Sequence, residues 1–459
     1  MGAGRSLRWC GLVGLLLFAP LAEAAQAVPA RPNILVILAD DLGYADLGFQ
    51  GCKDIPTPNL DGLARRGVRC TSGYVSHPFC SPTRAGLITG RYQQRFGHEN
   101  NPQWNPDDTI SGLPLAQATL PTVLKSAGYT TGCVGKWHLG AHPQFHPNRR
   151  GFDEYFGMLG GGHVYLPEAN GSAEYQIPMD RNGVSEPLKG YLTTVLGQEG
   201  AAFVTRHQGH PWFLYLAFNA PHAPLQVTDK QLDRVKTIED ETRRRYAGLV
   251  VGMDDAVGEV LAALRASGQD ESTLVFFMSD NGGPTSVTHS DNSPLRGAKG
   301  QTYEGGVRVP YVVSWPGHIP EGKDFDSPVF SLDVFATAAA IAGVRDSEKP
   351  ALDGVNILPW LSGEAVPPPD RLLFWRASGG DQFAVREGKW KLVGTKADGV
   401  QLFDLETDLG EAKDLAAAQP QVFERLKAAY DAWNKDNIAP IFKSPPGAKP
   451  KAAKKAAKK

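Results

Sequence analysis

Four continuous apolar runs constrain the fold most: residues 33–39 (NILVILA), 212–218 (WFLYLAF), 274–278 (LVFFM) and 311–315 (YVVSW). A strand with one wet face alternates polar and apolar residues, and these do not, so they read as strands buried on both faces of a sheet. Helical periodicity lies between them, over 57–66, 120–127, 191–207, 241–267 and 334–342. Buried strands alternating with helices predict an α/β domain over 31–363, built on a large, mostly parallel sheet sandwiched by helices.

After Pro367-Pro368-Pro369 the texture changes to short alternating segments, 372–376, 383–386, 389–393 and 401–405, followed by a helical pattern over 421–435. That predicts a small C-terminal α+β unit across 367–441, with antiparallel strands and one helix. Residues 1–27 read as a signal peptide: Arg5 and Arg8, an apolar run over 10–21, then small residues suited to cleavage. The run is too short for a membrane span and no later stretch qualifies, so the expectation is a secreted or periplasmic protein. The Lys/Ala-rich stretch 444–459 reads as a disordered tail. A net charge of −2 leaves no global excess of cations for nucleic acid. Cys52, Cys70, Cys80 and Cys133 remain beyond the leader; pairs 52–70 and 80–133, or free thiols, all stand as readings.

In open α/β sheets the functional crevice lies beyond the carboxyl ends of the strands. One predicted strand ends in Asp40-Asp41, another in Ser279-Asp280-Asn281. Three carboxylates and an amide at one edge repel each other unless a cation sits between them, and such hard oxygen donors suit calcium or magnesium. For either pair alone, turn capping is the competing reading.

Cys80-Ser81-Pro82-Thr83-Arg84 places a cysteine at a predicted helix start, with proline in the first turn and Arg84 near the sulfur. A nucleophile cradle and a buried or disulfide-bonded cysteine both fit. In Lys136-Trp137-His138, extended backbone puts Lys136 and His138 on one side. His222 stands between two prolines just after the run 212–218, and Lys299 lies in a glycine-rich loop over 295–306. Gathered at one edge, these cations and the metal site favour a tetrahedral anion or its ester. The Cys-x5-Arg loop of tyrosine phosphatases is excluded, because Gly86 occupies the position its arginine needs.

On these residues the chain resembles the type I sulfatases of the alkaline phosphatase superfamily, over nearly all of its length after the leader. Cys80-Ser81-Pro82-Thr83-Arg84, extended through Leu87-Ile88-Thr89-Gly90, is similar to the family's Cys-x-Pro-x-Arg signature, and 128–138 to its second signature. Asp40-Asp41, His222, Asp280-Asn281 and Lys299 follow in the family's order. Phe79 is bulkier than the family usually carries before the cysteine. The resemblance implies that a formylglycine-generating enzyme oxidises Cys80 to formylglycine, directed by Pro82 and Arg84. It implies calcium, with magnesium as the alternative, held by Asp40, Asp41, Asp280, Asn281 and residue 80, which together with Arg84 would position and activate the formylglycine hydrate. Lys136, Lys299 and His222 would contact sulfate, His222 or Lys299 would protonate the leaving alcohol, and His138 would deprotonate the remaining hydroxyl so that sulfate is eliminated.

The segment from 151 through Tyr165 resembles one common in bacterial members acting on sulfated carbohydrates, so a sulfated carbohydrate or aryl sulfate is the expected substrate. His98, Trp104, His163, Tyr165 and His289 stand both as sugar-subsite residues and as ordinary packing. Two rivals stay open here: a phosphate or phosphonate ester hydrolase of the same superfamily, and a non-catalytic sulfated-glycan binder in which Cys80 stays a thiol.

Overall fold

The protein is described by a computed structural model over residues 31–443, together with 1, 2 and 4. The stretch 1–27 read as a leader, apart from those three residues, and the stretch 444–459 read as a tail lie outside the described residues. No helix among the described residues is long and apolar enough to cross a membrane.

The strands in chain order are β1 (Asn33–Ala39), β2 (Val68–Cys70), β3 (Gly73–Tyr74), β4 (Thr130–Lys136), β5 (Glu154–Met158), β6 (Met179–Arg181), β7 (Val184–Glu186) and β8 (Trp212–Ala217). There follow β9 (Thr273–Ser279), β10 (Tyr311–Ser314), β11 (Lys323–Phe325), β12 (Val329–Phe330), β13 (Leu372–Ala377), β14 (Gln382–Glu387), β15 (Trp390–Thr395) and β16 (Gly399–Asp404). Ten of them form one sheet in the order β11-β2-β10-β9-β1-β8-β4-β5-β6-β7. The central five, β9-β1-β8-β4-β5, are parallel, while β10, β6 and β7 join antiparallel. The mostly parallel sheet expected from the apolar runs is thus its centre, and the antiparallel pieces are its margins.

Side chains of β1 alternate between two cores. Leu35, Ile37 and Ala39 pack on one face with the helices Leu192–Arg206 and Glu241–Ala266, and Ile34, Val36 and Leu38 on the other with Cys80–Thr89 and Asp333–Ile341. Burial on both faces explains why these strands lack polar alternation. At Gly135 in β4, φ is +105° and a Cβ would stand 1.9 Å from the Ala217 carbonyl, so only glycine lets β4 pass β8 there.

In the C-terminal unit, β13-β14-β15-β16 is an antiparallel meander, and the helix Pro420–Asn434 packs on it through Leu426, Tyr430 and Trp433. Cys52, Cys70, Cys80 and Cys133 are all free, so of the cysteine readings the unpaired one is the structure's.

Candidate active site

The register of the central strands makes the site. Ala39 pairs with Ser279 in β1 and β9, so Asp40 and Asp280 leave the sheet side by side, and the Asp280 N–H donates to the Ala39 carbonyl at 3.0 Å. Gly135 pairs with Ala217, which brings Lys136 out at the same edge. Asp41 then turns into the left-handed region, φ +67°, and its N–H donates to Asp280 Oδ1 at 3.3 Å.

Opposite these strand ends the helix Cys80–Thr89 begins, every residue of it buried. Phe79 at its N-cap gives no side-chain cap; Asn101 accepts from the Ser81 N–H at 3.0 Å instead, satisfying one of the donors a helix start leaves open. Cys80 Sγ lies 3.4 Å from Asp40 Oδ1 and 3.3 Å from Lys299 Nζ. Burial, then the negative charges of Asp280 and Asp40, push the Cys80 thiol well above its ordinary value.

Arg84, fully buried, donates through Nε (3.0 Å) and a terminal nitrogen (2.7 Å) to Asp280 Oδ2, and through the other to the Lys136 carbonyl at 2.9 Å. Lys136 Nζ donates to Asp40, and Lys299 Nζ stands 2.6 Å from Asp41 Oδ1. Burial alone would raise Asp40, but Lys136, His222, Arg84 and Lys299 outweigh it and hold that carboxyl far below the usual range. Asp280, buried beside Asp40, is pushed up to about 6 despite Arg84. Three carboxylates and three fixed cations thus share one buried pocket.

Whether a metal fits can be read from the donors. One ligand atom each from Asp40, Asp41, Cys80 and His222 falls within 4.8 Å of the others. Asn281 gives its amide N–H groups to Asp41 Oδ1 and the Gly282 carbonyl, which leaves Oδ1 buried with no hydrogen-bond partner among the described residues. A buried amide oxygen without a donor is costly, and a hard cation satisfies it; the donor set fits calcium or magnesium.

His222 follows β8 with its side chain 14% exposed, Nε2 3.6 Å from Asp41 and Nδ1 2.5 Å from the Ala223 carbonyl. Tyr165 donates to the carbonyls of Asn219 and His222, both at 2.8 Å, which pins this turn from below. Lys299 is 16% exposed, so it and His222 mark the mouth. His138 arrives differently from the expectation. β4 ends at Lys136, and His138 lies beyond it at φ +59°, so strand alternation does not set the direction of its side chain. Burial and the charges of Lys136 and Arg84 keep the His138 imidazole well below its ordinary value, hence neutral.

All six candidate catalytic residues and all the candidate ligands therefore converge. Of the weighed subsite residues, His98 is fully buried against Ser81 and Gly112, and His163 is wedged between the Val164 and Ile177 carbonyls. Tyr165 supports the His222 turn, His289 sits 2.7 Å from Asp240 away from the cluster, and Trp104 is half-buried beside Gly160. Phe79 meets the Lys299 loop: a Cβ on Gly300 would stand 2.8 Å from its ring, and the Gly300 N–H donates to Pro78. Sequence reasoning missed Tyr175, whose ring lies 6.2 Å from that of His222, and the Asn101 cap; no local pattern signals either.

A family model described as Sulfatase matches residues 32–344. N-acetylgalactosamine-6-sulfatase of Mus musculus is 36% identical over 401 residues, 82% of this chain and 74% of that protein. Arylsulfatase A of Homo sapiens is 35% identical over 486 residues, 93% of this chain and 90% of that one. The crystal structure of Ps i-CgsB in complex with k-i-k-neocarrahexaose superposes with a TM-score of 0.85 at 39% identity, covering 90% of this chain and 95% of that chain. A match across most of the catalytic unit, joined to strand ends that bring acidic and basic side chains around Cys80, makes this chain a member of the sulfatase family and a sulfuric ester hydrolase.

Proposed function

We propose that the protein removes sulfate from a sulfated carbohydrate, with Cys80 converted to formylglycine by a formylglycine-generating enzyme on the way to the periplasm or the exterior. The observation that carries this reading is the setting of residue 80: buried at a helix start, between Asp40 and Lys299. The names of the relatives support the carbohydrate, since one is an N-acetylgalactosamine-6-sulfatase and another structure holds a neocarrahexaose.

Asp40, Asp41, Asp280 and Asn281, with residue 80, would hold calcium, or magnesium in its place, which supplies Lewis-acid charge at the reacting oxygens. The aldehyde at residue 80 would supply, as its hydrate, one hydroxyl to attack and a second to drive release. One hydroxyl oxygen would attack sulfur while the bond from sulfur to the alcohol oxygen breaks; the leaving alcohol oxygen would take a proton from Lys299 or His222, which would be replaced by the proton the attacking hydroxyl gives up. Lys136 and Lys299 neutralise the sulfate oxygens. His138, neutral, would take the proton of the remaining hydroxyl as the C=O re-forms and sulfate leaves with the electron pair of the broken C–O bond. Arg84 holds Asp280 in place throughout.

Mass spectrometry of the peptide containing residue 80, from natively secreted protein, together with sulfate release from a panel of sulfated oligosaccharides, tests the reading. Unmodified cysteine throughout, or release from aryl sulfate alone, overturns it.

A further inference from the structure

His138 takes the last proton in the reading above, yet little holds its ring. Nδ1 is buried with no hydrogen-bond partner among the described residues, and Nε2 abuts Gly161, where a Cβ would come within 2.9 Å. Its backbone, at φ +59°, is in a region disfavoured for any residue with a Cβ, so something must keep it there. Two hydrogen bonds do. The His138 N–H donates to the Leu159 carbonyl at 3.2 Å, and the His138 carbonyl accepts from Ser81 Oγ at 2.6 Å.

Ser81 is the residue after Cys80 on the same helix, so its hydroxyl fixes the His138 backbone directly against the nucleophile-bearing turn. A carbonyl can only accept, so the single hydroxyl proton points to His138. Ser81 Oγ is then left to accept from His98 Nε2, 2.7 Å away; the Gly112 carbonyl, 3.1 Å from Nδ1, competes for the one proton of the neutral ring, and the shorter contact takes it. Both Ser81 and His98 are fully buried, so no water competes for either bond.

We propose that Ser81, oriented by His98, is a positioning residue that sets His138 for the elimination of sulfate. The inference rests on the base role given to His138. In that step the proton of the remaining hydroxyl passes to the imidazole, the C=O bond forms, and the C–O bond to sulfate breaks with its electron pair leaving on sulfate. A displaced base slows this half of the cycle and leaves the earlier release of alcohol nearly intact.

The test is pre-steady-state turnover of a chromogenic aryl sulfate by the full enzyme, normalised to the aldehyde content of residue 80, for Ser81→Ala, Ser81→Thr, His98→Asn and His138→Ala. We expect Ser81→Ala to show a burst of phenol followed by a steady rate reduced roughly tenfold, part of the about 10²–10⁴-fold a general base contributes. A sulfated residue 80 should accumulate in the mass spectrum, Ser81→Thr should restore the steady rate, and His98→Asn should show a smaller burst of the same kind. A merely structural Ser81 would lower burst and steady rate together, and that result overturns the proposal. If His138→Ala bursts and Ser81→Ala does not, only the positioning role falls; if His138→Ala shows no burst, the base assignment falls and takes this inference with it.

Discussion

Lys391 Nζ lies 2.8 Å from Glu304, with both side chains fully buried, and this ion pair ties the loop carrying Lys299 to the small C-terminal sheet. The same ammonium stands 3.0 Å from Glu411, which accepts from the Glu304 N–H at 2.7 Å. Gln382 reinforces the tie by donating to the Gly300 carbonyl at 3.0 Å. The C-terminal sheet therefore braces a wall of the active site.

Removing Lys391 leaves two buried carboxylates facing each other, with Arg308 near only one of them. Lys391→Met should cost about 3–5 kcal/mol, the range for breaking a buried pair. Denaturant unfolding measures this, and Lys391→Met with Glu411→Gln should recover part of the loss because the second carboxylate is neutralised. Turnover of aryl sulfate well below the melting temperature should also fall, as Lys299 loses its brace. Unchanged turnover with lowered stability would separate the brace from catalysis.

Glu411 gives the pair a pH signature. Burial, only partly offset by Lys391 and aggravated by Glu304, pushes its carboxyl up to about 7 from an ordinary 4.5. The folded state thus holds a proton that the unfolded state gives up near pH 4.5. That stabilisation is complete below pH 4.5 and is lost as pH rises through 7. Glu304 runs the other way: lowered to about 2 by Lys391 and Arg308 against its own burial, it stabilises above pH 4.5 and loses that contribution only as pH falls towards 2. Of this ion-paired group, it is therefore Glu411 that adds a slope between pH 5 and 8. Relative to the wild type, Glu411→Gln should gain on the order of 2 kcal/mol across that interval. Parallel melting curves of the two proteins over that range would refute the assignment.

The centre of the fold was legible because burial on both faces removes polar alternation, so residues 33–39 and 212–218 announce β1 and β8 almost to the residue. The margins were not: β2, β6, β7 and β11 are three residues each and half-exposed or more in places, too short for any periodicity. The site followed the centre, since Asp40, Lys136 and Asp280 are simply where buried strands stop. What eluded sequence reading is held by distant partners. Ser81 and His98 are 17 positions apart, and Glu304 and Lys391 are 87 apart, with nothing local to mark either pair. The His138 conformation also contradicted a local rule, because strand alternation ends two residues before it.

Gly161 tests how closely His138 is packed. A Cβ there would stand 2.9 Å from Nε2 and 3.1 Å from Cε1 of that imidazole, and 3.3 Å from Glu174 Oε1. The ring has to yield, since its backbone is pinned on both sides. Displacement of about 1 Å costs roughly 10²-fold in rate, so Gly161→Ala should lower kcat by about 10–100-fold with the melting temperature little changed. A variant with full kcat would mean that the imidazole has room to spare.

Asn281 makes the metal reading measurable without turnover. Its Oδ1 is a buried acceptor with no donor among the described residues, and its Nδ2 contacts Asp41 at 2.7 Å. A bound cation stabilises the fold in proportion to the logarithm of its concentration over Kd. Calcium titrated into chelator-stripped protein should raise the melting temperature, and Asn281→Ala, one oxygen ligand short, should bind roughly tenfold or more weakly. Asn281→Asp should do the reverse. Stripped of metal, it adds a fourth carboxylate next to Asp41 and should melt below the wild type; with calcium, the added charge is matched and the rise in melting temperature should exceed that of the wild type. Equal calcium affinity in all three proteins would remove Asn281 from the ligand set and leave its buried oxygen without an explanation.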